Sequence, residues 1–287
     1  MSFNLVKRCL STSTARNAIQ NVTVIGGGLM GSGIAQVAAQ AGNNVTVVEV
    51  NADVLKKVNN SITNSLQRTL ARIKGSTEPE AAVQNADLVV EAIVENLNLK
   101  HELFKKLDAA APKSAIFASN TSSLGITDIA SVTNRKDRFG GLHFFNPVPI
   151  MKLLEVVKTE DTSEETVSAM LEWGKAIGKT CIRCKDTPGF VVNRLLVPYM
   201  GEAFRMFERG DASARDIDLA MKLGAGYPMG PLELADYVGH DTTLFIMQGW
   251  HKKFPDNPLF NPSKTLEKFV KEGKLGRKTG EGFYKYE

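Results

Sequence analysis

The chain has 287 residues, 43% hydrophobic and 23% charged, with four histidines, three cysteines and a formal net charge of +4. That is ordinary globular composition, enough for one large or two modest domains with cores of their own. No run approaches about 18 consecutive apolar residues, so no transmembrane helix is expected, and Cys9, Cys181 and Cys184 are too few for a disulfide framework.

Residues 1–20 contain Lys7, Arg8 and Arg16, no acid, and several Ser and Thr. They hold three of the four net charges, so the remainder is nearly neutral and nothing points to a nucleic-acid-binding body. The segment reads as a mitochondrial transit peptide, which predicts a matrix protein; Arg8-Cys9-Leu10-Ser11 resembles a matrix-peptidase site. A merely disordered basic leader is the alternative.

From Asn21 the pattern is strand, glycine turn, helix, strand. Val22, Val24 and Ile25 form an uncharged, β-branched run, as expected of a strand buried on both faces. The turn Gly26-Gly27-Gly28-Leu29-Met30-Gly31 follows at once, and Ile34, Val37, Ala38 and Ala41 then repeat at helical spacing up to Gly42. A second strand, Val45 to Val50, carries Glu49 at about the distance of 20 residues expected of a ribose-binding acid. Gly26 would make the turn, Gly28 admit a pyrophosphate to the backbone and Gly31 let helix and strand pack closely. The helix N-terminus offers N–H groups and a positive dipole end to the phosphates. Glu49 would accept from ribose hydroxyls and repel a 2′-phosphate, which favours NAD over NADP.

The α/β alternation continues. Residues 53–74 are helical in period and end in Arg68, Arg72 and Lys74; ADLVVEAIVEN reads as a strand, KHELFKKLDAAA as a helix and SAIFASNTSS as a strand. Ligands in open parallel sheets lie beyond the carboxyl ends of strands, which is where Glu95 and Ser119 to Ser123 fall. Ser122 and Ser123 serve equally well as caps for a helix at LGITDIA.

Gly141–Phe145 and Met151–Val157 read as strands separated by Asn146-Pro147-Val148-Pro149. A hairpin centred near Pro149 sets His143 opposite Glu155. A buried carboxylate beside an imidazole fixes its tautomer and stabilises the imidazolium, so the pair is suited to taking up and returning a proton. A lone core histidine is the bland reading; beside a hydride-carrying dinucleotide fold, which needs a proton acceptor, the dyad is preferred.

From about residue 187 the chain becomes all-helical. Asp186 or Thr187 would cap a helix with Pro188 at its first position, Asn193 one to two turns in, a kink at Pro198 and a stop at Gly210. Further helices are expected over 214–223, from near Pro231, from near Asp241 and over 263–272. The expected organisation is a leader (1–20), a Rossmann-like doubly wound, mostly parallel α/β domain (21–186) and a smaller all-α domain (187–287). Cys181-Ile182-Arg183-Cys184 sits in an expected strand with no second pair, so neither redox nor metal chemistry is assigned to it. His101, His240 and His251 show no paired ligand spacing, and no metal is expected.

GGGLMGSGIAQ, VVEAIVEN, FASNTSSL, GLHFFNPVPIMKLLEVV, CKDTPGFVVNRLLVPYM, KLGAGYPMGPLELADYVG and GRKTGEGFYKY together resemble the L-3-hydroxyacyl-CoA dehydrogenase family in its stand-alone mitochondrial form, from about Asn21 to Glu287. The resemblance implies NAD-dependent oxidation of an acyl-CoA in fatty-acid β-oxidation and a homodimer formed through the helical domain. It makes His143 the base and Glu155 its partner, with Ser122 and Asn193 completing the site. Glu95, Lys100, Ser122 and Lys278 become NAD-side contacts, and Ser65, Arg72 and Ser122 contacts to coenzyme A. A biosynthetic 3-hydroxybutyryl-CoA dehydrogenase, an L-gulonate dehydrogenase and a non-catalytic crystallin-like NAD-binding protein are the alternatives. The stretch Gly75 to Gln84 is short beside vertebrate members of the family.

Overall fold

The computed structural model describes residues 19–51 and 71–287. Residues 1–18 of the expected leader, including Cys9, and the segment containing Ser65 and Arg68 lie outside the described residues, whereas Ile19, which the expected boundary assigned to the leader, is buried in the core of the first unit. The chain divides into two units, one taking the residues up to Thr121 together with Ile126–Arg183, the other Ser122–Gly125 with Cys184–Glu287.

The first unit is built on a sheet of eight strands: β1 (Asn21–Ile25), β2 (Asn44–Val48), β3 (Ile73–Ser76), β4 (Leu88–Glu91), β5 (Ile116–Ser119), β6 (Phe139–Phe144), β7 (Leu153–Lys158) and β8 (Thr180–Lys185). Their order across the sheet is β3-β2-β1-β4-β5-β6-β7-β8. β1 through β6 pair in parallel, and β7 returns antiparallel to β6. Reversal of the strand order at β1 is the doubly wound arrangement, and it places the ligand crevice beyond the carboxyl ends of the strands. Central strands such as LVVE in β4 and FGGLHF in β6 are buried at every position, the consequence of covering both faces of a parallel sheet. Helices α1 (Leu29–Gln40), α2 (Pro79–Ala82), α3 (Leu97–Ala110), α4 (Ile126–Ala130) and α5 (Glu164–Ala176) lie between these strands in the chain. Val24, Ile34, Val47, Val90, Leu142, Leu154, Met170 and Trp173 form part of one continuous core.

Two expectations are corrected. The helical period does not run on to Lys74: Ile73–Ser76 form β3, with Ile73 opposite Val45. A β-branched residue that can complete a sheet edge is taken into the sheet, and tertiary pairing outweighs local period. Nor does Pro188 open a helix. Thr187-Pro188-Gly189-Phe190 is a β-turn, closed by the Phe190 N–H donating to the Thr187 carbonyl at 2.9 Å, with Gly189 at φ +77°. Proline second and a positive-φ glycine third are the residues a type II turn requires.

The second unit consists mainly of α6 (Val192–Arg209), α7 (Ala214–Gly224), α8 (Pro231–Val238), α9 (His240–Lys253) and α10 (Lys264–Lys271). Gly210, at φ +73°, ends α6 in the left-handed conformation as expected of that glycine. Phe204, Leu232, Met247, Trp250, Phe260 and Leu266 fill its core. Among the described residues no helix is long and apolar enough to cross a membrane.

Candidate active site

β1 ends at Ile25 and the chain turns at Gly26, φ +93°, whose N–H donates to the Val48 carbonyl at 2.9 Å. A Cβ on Gly26 would stand 2.8 Å from the Ala92 oxygen, and one on Gly31 only 1.7 Å from the Gly26 oxygen, so both glycines are imposed by packing. Gly28 is different: a Cβ there would meet nothing within 4 Å. Its backbone faces open space at the start of α1, which carries no side-chain cap. Uncapped helix N–H groups beside an open glycine fit the pyrophosphate of a dinucleotide. Beside the turn is a mainly apolar cleft of about 640 Å³, lined among others by Gly26, Gly28, Val48, Glu49, Ala92 and Ile93. The Glu49 carboxylate stands at its edge, accepting from the Gly27 N–H at 2.5 Å and the Val50 N–H at 3.2 Å.

At the ends of β4 and β5 the polar groups form a connected set. Lys100, 1% exposed on α3, donates to Glu91 Oε1 at 2.5 Å and lies 3.5 Å from Glu95 Oε2. Glu91, fully buried, also accepts from the Ile93 N–H at 2.7 Å and from Ser119 Oγ at 2.6 Å. Burial pushes the Glu91 carboxyl up from its ordinary value, against the charge of Lys100 and the hydrogen bonds from Lys100, Ser119 and Ile93. Thr121 Oγ1 donates to the carboxylate of Glu95, whose side chain is 35% exposed. Of the two residues expected on the cofactor side in this stretch, Glu95 is therefore presented outward and Lys100 is enclosed.

The β6–β7 register places His143 opposite Glu155, as the hairpin requires. His143 Nδ1 lies 2.6 Å from Glu155 Oε2, with both side chains buried. An ionised carboxylate only accepts, so Nδ1 carries the hydrogen and Nε2 of the neutral ring is the proton-accepting nitrogen. Asn120 Oδ1 accepts from the Phe144 N–H at 2.9 Å, tying the end of β5 to the strand that carries His143. The loop between β6 and β7 is held by Lys179, whose buried ammonium donates to the Val148 carbonyl and, at 2.7 Å, to that of Met151. Among the described residues no carboxylate pairs with it, and burial pushes that lysine down from its ordinary value.

The remaining expected residues fall elsewhere. Ser122 and Asn193 belong to the second unit, and Asn193 is the second residue of α6 rather than one to two turns in, because the β-turn replaces the first helical turn. Lys278, also there, pairs with Asp241 at 2.5 Å. Arg72 precedes β3 and donates to the Gly42 carbonyl at 2.8 Å, at the amino end of the strands and therefore at the opposite edge of the sheet from the glycine turn. Cys181 and Cys184 stand in β8, outside any disulfide among the described residues. In the sequence Asn120 was singled out only within Ser119 to Ser123, and Glu91 and Lys179 were passed over. Glu91 is a single carboxylate closing an apolar strand, and that is the signal the sequence carried for it.

Comparison with known proteins follows the same division. A family model described as "3-hydroxyacyl-CoA dehydrogenase, NAD binding domain" matches residues 21–187, and one described as "3-hydroxyacyl-CoA dehydrogenase, C-terminal domain" matches residues 189–286. The chain is 57% identical over 295 residues to the human protein named "Hydroxyacyl-coenzyme A dehydrogenase, mitochondrial", covering 96% of this chain and 94% of that one. A Bacillus subtilis protein named "Probable 3-hydroxybutyryl-CoA dehydrogenase" is 45% identical, covering 94% of this chain and 98% of its own. The crystal structure of (S)-3-hydroxybutyryl-CoA dehydrogenase from Ralstonia eutropha superposes with a TM-score of 0.90 at 42% identity, over 94% of this chain and 100% of that one.

Proposed function

The chain belongs to the 3-hydroxyacyl-CoA dehydrogenases, enzymes that oxidise 3-hydroxyacyl-CoA with NAD, and from that premise we propose how its residues divide the work. NAD, when bound, supplies the hydride acceptor. The Gly28 backbone and the α1 N-terminus would hold its pyrophosphate, and Glu49 would accept from the adenosine ribose. His143 takes the hydroxyl proton on Nε2 as the C3 hydrogen leaves as hydride, and the alcohol becomes a ketone. Glu155 fixes the ring and stabilises the imidazolium that forms, while Ser122 and Asn193 donate to the substrate oxygen. In the reverse direction the same imidazolium returns the proton. The observation that carries this reading is the buried pair at 2.6 Å, His143 Nδ1 to Glu155 Oε2, on the carboxyl-end side of the sheet where the glycine turn also lies.

We place the enzyme in fatty-acid β-oxidation in the mitochondrial matrix; the acid-free basic leader and the mitochondrial names of its relatives support this. Ser65 and Ser122 are the coenzyme A contacts of this reading. Leu195, Leu223 and Phe245, exposed by 68%, 78% and 59% on the second unit, support a homodimer formed through that unit. The test is loss of NADH absorbance with acetoacetyl-CoA and with longer 3-ketoacyl-CoA thioesters. Rapid NADH oxidation is expected, and no turnover of any thioester would refute the assignment.

A further inference from the structure

Glu91 has no role in the chemistry above, yet it is the most enclosed charged group near the cofactor turn, at 0% exposure with donors on both oxygens: Lys100 and Ile93 on Oε1, Ser119 on Oε2. Its partner Lys100 is 1% exposed, although a lysine stem is long enough to carry its charge to water. Stability does not account for such a pair, because apolar side chains of similar volume commonly serve a fold as well or better. Its position is more informative. Along the order β1-β4-β5-β6, the ends of β4 and β5 lie between the glycine turn and His143. A dinucleotide held at the turn and reacting beside His143 must pass them. There Glu95, 35% exposed, has Lys100 Nζ 3.5 Å from one oxygen and Thr121 Oγ1 2.9 and 3.0 Å from the two.

We propose that Glu91 is a positioning residue for the cofactor: it anchors the Lys100 ammonium beneath Glu95, so that the Glu95 carboxylate is held in one place to accept hydroxyl or amide hydrogens of the nicotinamide half. Ser119, donating to the second Glu91 oxygen, belongs to the same support. This rests on the dehydrogenase reading proposed above and on Glu95 and Lys100 lying on the cofactor side, as the family resemblance implies.

The experiment is a double-mutant cycle with Glu91→Gln, Lys100→Met and the pair, reading NAD affinity directly by quenching of protein fluorescence alongside steady-state kinetics. Glu91→Gln should weaken NAD binding about tenfold to a hundredfold, the range for losing a hydrogen bond to a charged group, and leave the acyl-CoA KM within about twofold. In the Lys100→Met background the same change should add little, because Glu91 acts through Lys100. Wild-type NAD affinity in Glu91→Gln, or losses that simply add in the pair, would overturn the proposal. If Lys100→Met itself binds NAD normally, the cofactor-side placement of Lys100 falls and the proposal with it; if only Glu91→Gln is silent, the proposal falls alone. Should Glu91→Gln fail to fold, Ser119→Ala gives the reading. A severalfold loss of NAD affinity with unchanged acyl-CoA KM supports the role, and unchanged NAD affinity refutes it.

Discussion

A base for an alcohol needs one ring nitrogen kept ready and a partner for the charge it acquires. Glu155 supplies both to His143 through one hydrogen bond of 2.6 Å. Glu155→Gln keeps the shape and removes the charge, so kcat should fall about 10²–10⁴-fold with little change in KM, and circular dichroism should match the wild type. In the proposed reading Glu49 acts on cofactor choice. A 2′-phosphate carries about −1.5 to −2 charge, and at a few ångströms it meets at least about 1 kcal/mol of repulsion per unit charge even at high dielectric. NAD should be preferred over NADP by roughly 10- to 100-fold in kcat/KM, a gap of about 1.4–2.8 kcal/mol, and Glu49→Ala should narrow it. Equal efficiencies in the wild type would remove that role from Glu49. His143 and Glu155 were legible as a pair because a hairpin's register follows from its turn. Lys100's enclosure was not, since it depends on Glu91 and Ser119 arriving from other strands.

The glycine turn shows how one element combines two demands that composition does not separate. Gly31 is required by packing and Gly28 is not, although both belong to the same motif. Gly31→Ala forces a methyl 1.7 Å from the Gly26 oxygen and should cost at least about 3 kcal/mol, seen as a large drop in Tm or failure to fold. Gly28→Ala, at φ −59°, should melt like the wild type and lose NAD affinity, because its methyl enters the space the pyrophosphate needs. A Gly28→Ala protein that binds NAD normally would move the phosphates elsewhere. Elements with local causes were readable: β1 and α1, the β6–β7 hairpin, and the stop of α6 at Gly210. β3 and the turn before α6 were not, the first because Ile73 is recruited by Val45 across the sheet, the second because a proline before a glycine fits a type II turn and a helix start alike.

At the scale of the whole molecule, acid stability follows from carboxylates used as anchors. Asp236, on α8, accepts from the Phe283 and Tyr284 N–H groups and the Tyr286 hydroxyl, and lies 2.6 Å from His240 Nε2, which fastens the carboxy-terminal segment to the second unit. Burial alone would raise it, but His240 against it and these hydrogen bonds hold it below its ordinary value of 3.8. In the first unit Asp108 is held down in the same way by Arg135 and Asn134. A carboxyl lowered by folding contributes stability that is fully present above its unfolded value and is lost as pH falls through the folded one. Tm should therefore be level from neutrality down to about pH 5 and fall below about pH 4. Asp236→Asn should lower Tm at pH 7 and shrink the acid drop; an unchanged drop by calorimetry would exclude Asp236 as a main source. The succession of a dinucleotide-binding unit and a helical unit was readable from the change of period along the chain, while the second unit's claim on Ser122–Gly125 was not, being a matter of contacts distant in sequence. The reaction itself is tested most directly by His143→Gln, with oxidation of a 3-hydroxyacyl-CoA and NAD binding measured on the same preparation. The expected result is kcat lowered by about 10²–10⁴-fold or more with NAD affinity unchanged; turnover within a few-fold of the wild type would show that His143 is not the base.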